Sequence, residues 1–132
     1  YEYGDAVLAA VGDALRTSVR SIDIAARVGG DEFAIVLPST KTAEALAVAR
    51  RVQAALRETA IGVEARRLTL TAAQGVATAD GAQPRDPRQW FLQANEALKA
   101  AKRGGRDRIM VWDARSRGPA EPEEPPAPHP AA

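Results

Sequence analysis

Arg27-Val28-Gly29-Gly30-Asp31-Glu32-Phe33 is the stretch from which the fold can be read. Before it, Ile22, Ile24, Ala26 and Val28 alternate with Ser21, Asp23, Ala25 and Arg27, the period-two pattern of a half-buried strand. After it, Phe33-Ala34-Ile35-Val36-Leu37 is apolar on both faces, as a central strand is. The two glycines between these runs can take positive φ at both turn positions, so the spacing predicts a tight hairpin. Asp31 and Glu32 then stand at or just beyond its tip. Adjacent negative charges repel, and nothing in the turn requires them. Taken alone, they read as a solvated tip that guards an apolar strand against stray pairing.

Composition narrows the chemistry available to that tip. The 132 residues suffice for one domain with a real core. Lys and Arg (18) nearly balance Asp and Glu (17), so bulk charge argues for no polyanionic partner. Cysteine is absent, which excludes disulfides, thiolate zinc sites and cysteine nucleophiles. The one histidine, His129, lies in a proline-rich stretch, so histidine triads and histidine metal clusters are excluded as well. Any metal must be held by oxygen, which suits a hard cation such as magnesium. No apolar run approaches the roughly 20 residues of a membrane span, and no signal-peptide pattern opens the chain. The first residue is Tyr1 rather than methionine, and the chain is expected to be a piece of a longer protein.

Around the hairpin the pattern is mixed. Val7, Leu8, Val11, Leu15 and Val19 recur at helical spacing, with Asp5 placed to cap the helix start and Arg20 near its end. Pro38-Ser39-Thr40 breaks the strand after the hairpin. Thr42 is positioned to cap a second helix whose buried stripe is Ala45, Leu46, Ala49, Val52 and Leu56, and which Gly62 ends. Leu68 to Ala77 reads as one strand, with Gly75 marking a bulge or a close backbone approach. Thr78 to Pro87 reads as a loop containing Asp80-Gly81. Asp86 and Pro87 open a third helix with a core face of Trp90, Leu92, Ala94, Ala97, Leu98 and Ala101, stopped by Gly104-Gly105. Arg108 to Trp112 forms a last strand. Residues 1–113 make the domain, and residues 114–132, rich in Pro, Glu and Ala from Gly118 onward, are expected to be a disordered tail. The order helix, hairpin, helix, strand, helix, strand predicts an α+β fold, helices on one face of a mainly antiparallel sheet.

Four separated motifs now line up. Residues 29–33 spell GGDEF. Arg20-Ser21-Ile22-Asp23, an RxxD, ends five residues upstream. Ala101 to Arg106 reads AKxxGR, and Gly4-Asp5 followed by Leu8 reads GDxxL. Together they resemble the GGDEF family of diguanylate cyclases, over roughly Tyr3 to Val111. The resemblance implies a fold similar to the palm of nucleotide cyclases and polymerases, which is ferredoxin-like. It implies an enzyme that condenses two GTP molecules into cyclic di-GMP and two pyrophosphates, using magnesium or manganese. Two domains, each presenting one GTP, would face each other as a homodimer. By the same resemblance Asp31 and Glu32 are the catalytic and metal-binding carboxylates, with the division of roles left open. Gly29 and Gly30 let the nucleotide approach the backbone, Asp5 recognises the guanine edge, and Lys102 and Arg106 bind phosphate. Arg20, Asp23 and Arg51 match the family's inhibitory product site, where cyclic di-GMP binds.

Each residue also has a plainer reading: Asp5 as a helix cap, Lys102 and Arg106 as cations complementing a helix end, Arg20 and Asp23 as a local ion pair. The chain departs from the family pattern as well. Members begin with a strand carrying a metal-binding aspartate, a lysine turn and a guanine-binding asparagine. This sequence starts after them, so the first strand is expected to be absent and these 132 residues alone to turn over little substrate. Asn95 stands where the family usually has aspartate, Lys99 where it has tyrosine, Ala73 where it has serine and Gln74 where it has an apolar residue. The runner-up function is a catalytically silent module that binds cyclic di-GMP as a receptor. An RNA-binding module is disfavoured, since aromatics are only 5% of residues and the central strands show just Phe33. No DNA or RNA partner is expected, and the domain is expected in the cytoplasm, within a larger sensor or response regulator.

Overall fold

A computed structural model describes residues 2–63, 66–79 and 86–125. The order is α1 (Glu2–Ser18), β1 (Ile24–Arg27), β2 (Phe33–Val36), α2 (Thr42–Glu58), β3 (Ala60–Val63), β4 (Arg66–Thr69), β5 (Gln74–Val76), α3 (Pro87–Arg103), β6 (Ile109–Asp113) and β7 (Gly118–Ala120). The fold is α+β, as the sequence implies. Its strands, however, pair in three separate groups among the described residues: β1-β2, β3-β4 and β5-β6-β7. The pair β5-β6 is parallel, joined by α3 as the crossover, and the other pairs are antiparallel. Part of the loop before α3 (80–85) and the last residues (126–132) lie outside the described residues.

The core sits on α2. Its residues Val48, Val52 and Leu56 meet Ala14 and Leu15 of α1, with Phe33, Ile35 and Leu37 packed alongside. Its residues Leu46 and Ala49 meet Ile109 and Val111 of β6. The stripe read from the sequence is therefore buried as expected, with Val48 added to it. On α3, Ala97 and Ala101 are fully buried, but Leu92 is 58% exposed, so the expected core face is narrower at its start.

The hairpin turns its other face inward. The register pairs Ile24 with Val36 and Ala26 with Ala34 on one side, and Ala25 with Ile35 and Arg27 with Phe33 on the other. Phe33 and Ile35 are the larger pair of β2, and they take the core-facing side. The period-two set of β1 is thereby left outside: Ile22, Ile24 and Val28 are exposed rather than half-buried.

Several boundaries move for local reasons. Helix α1 is already formed at Glu2, so Asp5 is a helical residue near the start rather than the cap; there its carboxylate still complements the dipole. The helix stops at Ser18, two residues before Arg20. Lys41, with extended φ and ψ and no side-chain cap, precedes α2, and the Thr42 hydroxyl instead donates to Thr78 Oγ1 at 2.8 Å. Helix α2 ends at Glu58 because the β-branched Thr59 is extended, its hydroxyl donating to the Ala55 carbonyl at 2.7 Å; Gly62 lies in β3 opposite Arg67. The single strand expected over 68–77 is broken between β4 and β5, where Leu70 and Ala72 pack against the α1-α2 core. Asp86 caps α3 as expected, accepting from the Arg88 amide at 3.0 Å, with Pro87 in the first turn.

Part of the expected tail is ordered. Gly118–Ala120 pairs with β6, the Arg50 guanidinium donates to the Glu123 carbonyl at 2.6 Å, and Arg108 lies 3.9 Å from Glu121. An open β6 edge supplies main-chain partners that composition alone does not reveal. Gly75 meets the close approach predicted for it: a Cβ there would lie 2.3 Å from the Ala94 carbonyl oxygen and the Leu98 nitrogen. Gly75→Ala should therefore destabilise the domain by about 1–3 kcal/mol. Gly30 has open space where a Cβ would be, and Gly30→Ala should change stability by less than about 0.5 kcal/mol. Chemical denaturation of the two variants side by side checks both.

Candidate functional site

The hairpin tip is a five-residue loop, Val28 to Glu32, not a two-residue turn. The amides of Val28 and Gly29 both donate to the Glu32 carbonyl, at 2.9 and 3.3 Å. Arg27 fastens the tip from within, its Nε donating to the Gly29 carbonyl at 3.0 Å and its Nη2 to the Gly30 carbonyl at 2.8 Å. With five residues to close the turn, neither glycine needs the left-handed φ expected of it, and neither takes one. Gly29 has Glu32 Cβ 3.4 Å from where its own Cβ would stand, an ordinary contact, and Gly30 has nothing within 4 Å. Nothing inside the domain demands both glycines. Arg27 was not singled out from the sequence, because its role depends on the loop's carbonyls pointing inward.

The two carboxylates have different surroundings. Asp31 is exposed, with no hydrogen-bond or ion-pair partner among the described residues. Glu32 accepts from Lys102 Nζ at 3.1 Å, across 70 positions of sequence, with the two side chains 43% and 33% exposed. Lys102 is in the last turn of α3, where its charge also complements the helix dipole. The hairpin motif and the AKxxGR motif are thus one surface.

Beyond Lys102 the chain enters a strained turn. Gly105, Arg106 and Asp107 take φ of 110°, 61° and 40° in succession. For residues with a Cβ this region costs about 1–2 kcal/mol each. The Arg106 amide donates back to the Ala101 carbonyl at 3.1 Å, closing the helix end, while its side chain is exposed. Asp107 accepts from Arg57 Nη2 at 2.9 Å. Asp5, exposed near the start of α1, makes no hydrogen bond to the hairpin among the described residues.

Arg20 and Asp23 form the pair that their spacing allows. Arg20 Nη2 and Nε donate to the Asp23 carboxylate at 2.9 and 3.2 Å, and the Arg20 amide donates to it at 2.7 Å. Arg20 Nη2 also reaches the Pro38 carbonyl at 3.0 Å and Thr40 Oγ1 at 2.9 Å, so it clasps the two legs of the hairpin at their base. The Asp23 side chain is fully covered, while that of Arg20 is 47% exposed. The hydrogen bonds from Arg20 hold the Asp23 carboxyl below its ordinary value, against the opposing effect of desolvation, with the charges of Arg20 and Arg51 adding to the lowering. The same bond raises Arg20. Arg51 itself donates to the Ser18 carbonyl at 3.2 Å, at the end of α1. Beside this pair lies an open cavity of about 540 Å³, lined by Leu15, Val19, Arg20, Asp23, Arg27 and Phe33 among others.

Among the described residues no three His, Cys, Asp or Glu side chains gather into a metal site. Asp31 and Glu32 are hard oxygen donors side by side, which fits a cation that takes one or two carboxylates and completes its shell with water and phosphate. Among the described residues no helix is long and apolar enough to cross a membrane.

A carboxylate-bearing hairpin is thus met by a helix-end lysine on an α+β frame. The comparisons with known proteins name the family. Residues 1–108 match the family described as diguanylate cyclase, GGDEF domain, and the chain belongs to it. It is 37% identical over 112 residues to diguanylate cyclase DosC of Escherichia coli, covering 84% of this chain and 24% of that one. It is 33% identical over 108 residues to diguanylate cyclase DgcP of Pseudomonas aeruginosa, covering 82% of this chain and 16% of that one. Among solved structures, diguanylate cyclase SiaD from Pseudomonas aeruginosa, in complex with its activator SiaC, superposes with a TM-score of 0.77 at 34% identity. That match covers 84% of this chain and 42% of SiaD. The chain thus spans about a quarter or less of these two curated relatives.

The Asp23 carboxylate provides a direct check of the local electrostatics. Its folded pKa is lowered, so the stability it contributes is fully present above the ordinary carboxylate value and is lost as pH falls through the lowered one. Carboxyl NMR should give Asp23 a midpoint below 3.8, and Arg20→Ala should move it upward.

Proposed function

We propose that this domain carries out the diguanylate cyclase reaction, with Asp31, Glu32, Lys102 and Arg106 as its chemical core. In each half-reaction a ribose 3′-hydroxyl oxygen bonds to the α-phosphorus of the other GTP. The hydroxyl loses its proton and pyrophosphate departs, so that two such steps close the cyclic dinucleotide. One carboxylate of the Asp31-Glu32 pair accepts the proton, and both would hold a magnesium or manganese ion. That ion, when bound, offsets charge on the phosphates. Lys102 and Arg106 grip phosphate oxygens. Gly29 and Gly30 leave the backbone approachable, and Asp5 accepts from the guanine N–H donors. A second domain would supply the second GTP, in a homodimer. We place the domain in the cytoplasm, within a larger signalling protein.

The observation that carries this reading is the 3.1 Å contact between Lys102 and Glu32. Two residues 70 positions apart have no local reason to meet, and their meeting sets a cation beside an acidic tip, as the proposed phosphate role of Lys102 requires. The two glycines support the reading, since neither φ nor packing demands them and Gly30 opens onto free space. Incubated with GTP and magnesium, the full-length protein should release cyclic di-GMP and pyrophosphate. Glu32→Gln should reduce turnover at least about 100-fold. Lys102→Ala should raise the KM for GTP about tenfold. A full-length protein that makes no cyclic di-GMP under these conditions contradicts the proposal.

A second role rests on its own observation. Arg20 presents a half-exposed guanidinium, already oriented by Asp23, at the rim of a basic cavity that Arg27 also lines. An arginine fork suits guanine O6 and N7 or a phosphate, and an aspartate suits guanine N–H donors. We read Arg20, Asp23 and Arg51 as a product site for cyclic di-GMP, which would have to displace bonds that now clasp the hairpin base. The same site would let a catalytically silent form act as a receptor. In calorimetry with cyclic di-GMP, Arg20→Ala should weaken binding at least about tenfold, and unchanged affinity would reject the site.

A further inference from the structure

The turn that follows α3 is held in place by residues that no sequence motif marks. Gly105, Arg106 and Asp107 are left-handed in succession, and only the first is a glycine. Aspartate tolerates this region better than arginine does, and neither adopts it without support. The support comes from α2. Gln53 Nε2 lies 3.3 Å from the Asp107 main-chain carbonyl and 3.4 Å from Asp107 Oδ1, and Arg57 Nη2 lies 2.9 Å from Asp107 Oδ2. Gln53 and Arg57 are four residues apart, on one face of the helix. On the near side, the Arg106 amide is tied to the Ala101 carbonyl at 3.1 Å. On the far side, the Arg108 carbonyl accepts from the Gln74 amide at 2.9 Å, where β6 joins β5. Arg106 is therefore fixed at its own amide and through the next two residues, while its side chain stays exposed.

We propose that Gln53 and Arg57 are positioning residues for Arg106, acting through Asp107. The inference rests on the reading of Arg106 as a phosphate cation, and it adds the device that aims it. An exposed Arg57–Asp107 pair would ordinarily count for little on a surface. Here the same aspartate is also gripped through its main chain, on backbone that strain would otherwise relax. Left without the clamp, the turn would sample right-handed φ at Arg106 and Asp107, and the backbone position from which the Arg106 side chain departs would no longer be fixed. In that account Gln53 and Arg57 touch no substrate.

The test is a mutant cycle on the full-length protein, with inorganic triphosphate as the calorimetric probe. Arg106→Ala should weaken binding about tenfold, the loss of one charge-assisted contact. Arg57→Ala and Gln53→Ala should each weaken it by about three- to tenfold. Neither should weaken it further in the Arg106→Ala background, because the clamp acts only through that side chain. Asp107→Asn, which tolerates left-handed φ and keeps the main-chain carbonyl and one side-chain oxygen but turns the other into a donor, should weaken binding no more than Arg57→Ala does. Full affinity in Arg57→Ala and Gln53→Ala overturns the proposal while sparing the role of Arg106. So does a loss that persists undiminished in the Arg106→Ala background, which would mark general damage to the fold. Unchanged binding in Arg106→Ala, or no binding by the parent protein, removes the phosphate reading and this inference with it.

Discussion

Burial on both sides of α2 is the constraint from which the rest of this domain follows. One flank of the helix, Val48, Val52 and Leu56, closes against α1 and the inner side chains of the hairpin. The other, Leu46 and Ala49, closes against β6. Each large side chain removed from water there contributes about 1.5–3 kcal/mol, more than any single polar contact on the surface. The hairpin and the α3-β6 unit do not pair as strands, so the helix between them is what gives them a shared frame. The meeting of Glu32 and Lys102 is a consequence of that frame, since a half-exposed ion pair is too weak to impose one.

The polar contacts then refine what burial has assembled. Arg27 draws in the carbonyls of the tip, Arg20 clasps the hairpin base, and Gln53 with Arg57 holds the turn after α3. Apart from the Arg20 bond to the Thr40 hydroxyl, these hydrogen bonds from guanidinium or amide groups reach backbone carbonyls or carboxylates. Their common effect is to restrict loops rather than to add bulk stability. Under the proposed function this matters, because every loop ordered in advance is an ordering cost removed from binding.

The hairpin's outer face shows where a local pattern loses to a larger competitor. Period two in Ile22, Ile24, Ala26 and Val28 is genuine, and so is the apolar run of β2. Only one face of the pair can meet the core, and it is the one carrying Phe33 and Ile35, the larger side chains of β2, rather than the one carrying Ile24, Ala26, Ala34 and Val36. The tail shows the converse. Gly118-Pro119-Ala120 has no strand propensity to speak of, yet it completes β6 because the edge offers unpaired main-chain groups.

Local signals sufficed wherever the cause of a structure lies within a few residues. The α2 stripe, the Asp86-Pro87 helix start, the Arg20–Asp23 pair and the demand for glycine at position 75 are all of this kind. Motif spacing also carried the family, since GGDEF, RxxD and AKxxGR each sit in one short run. Contacts between distant segments were beyond reach in the linear chain: the joining of Glu32 to Lys102, the grip of α2 on Asp107, the choice of hairpin face and the pairing of β7. The reason is physical. Propensity and periodicity report the energy of a residue against its neighbours along the backbone, whereas these contacts are selected by which surfaces the packed helices bring within reach.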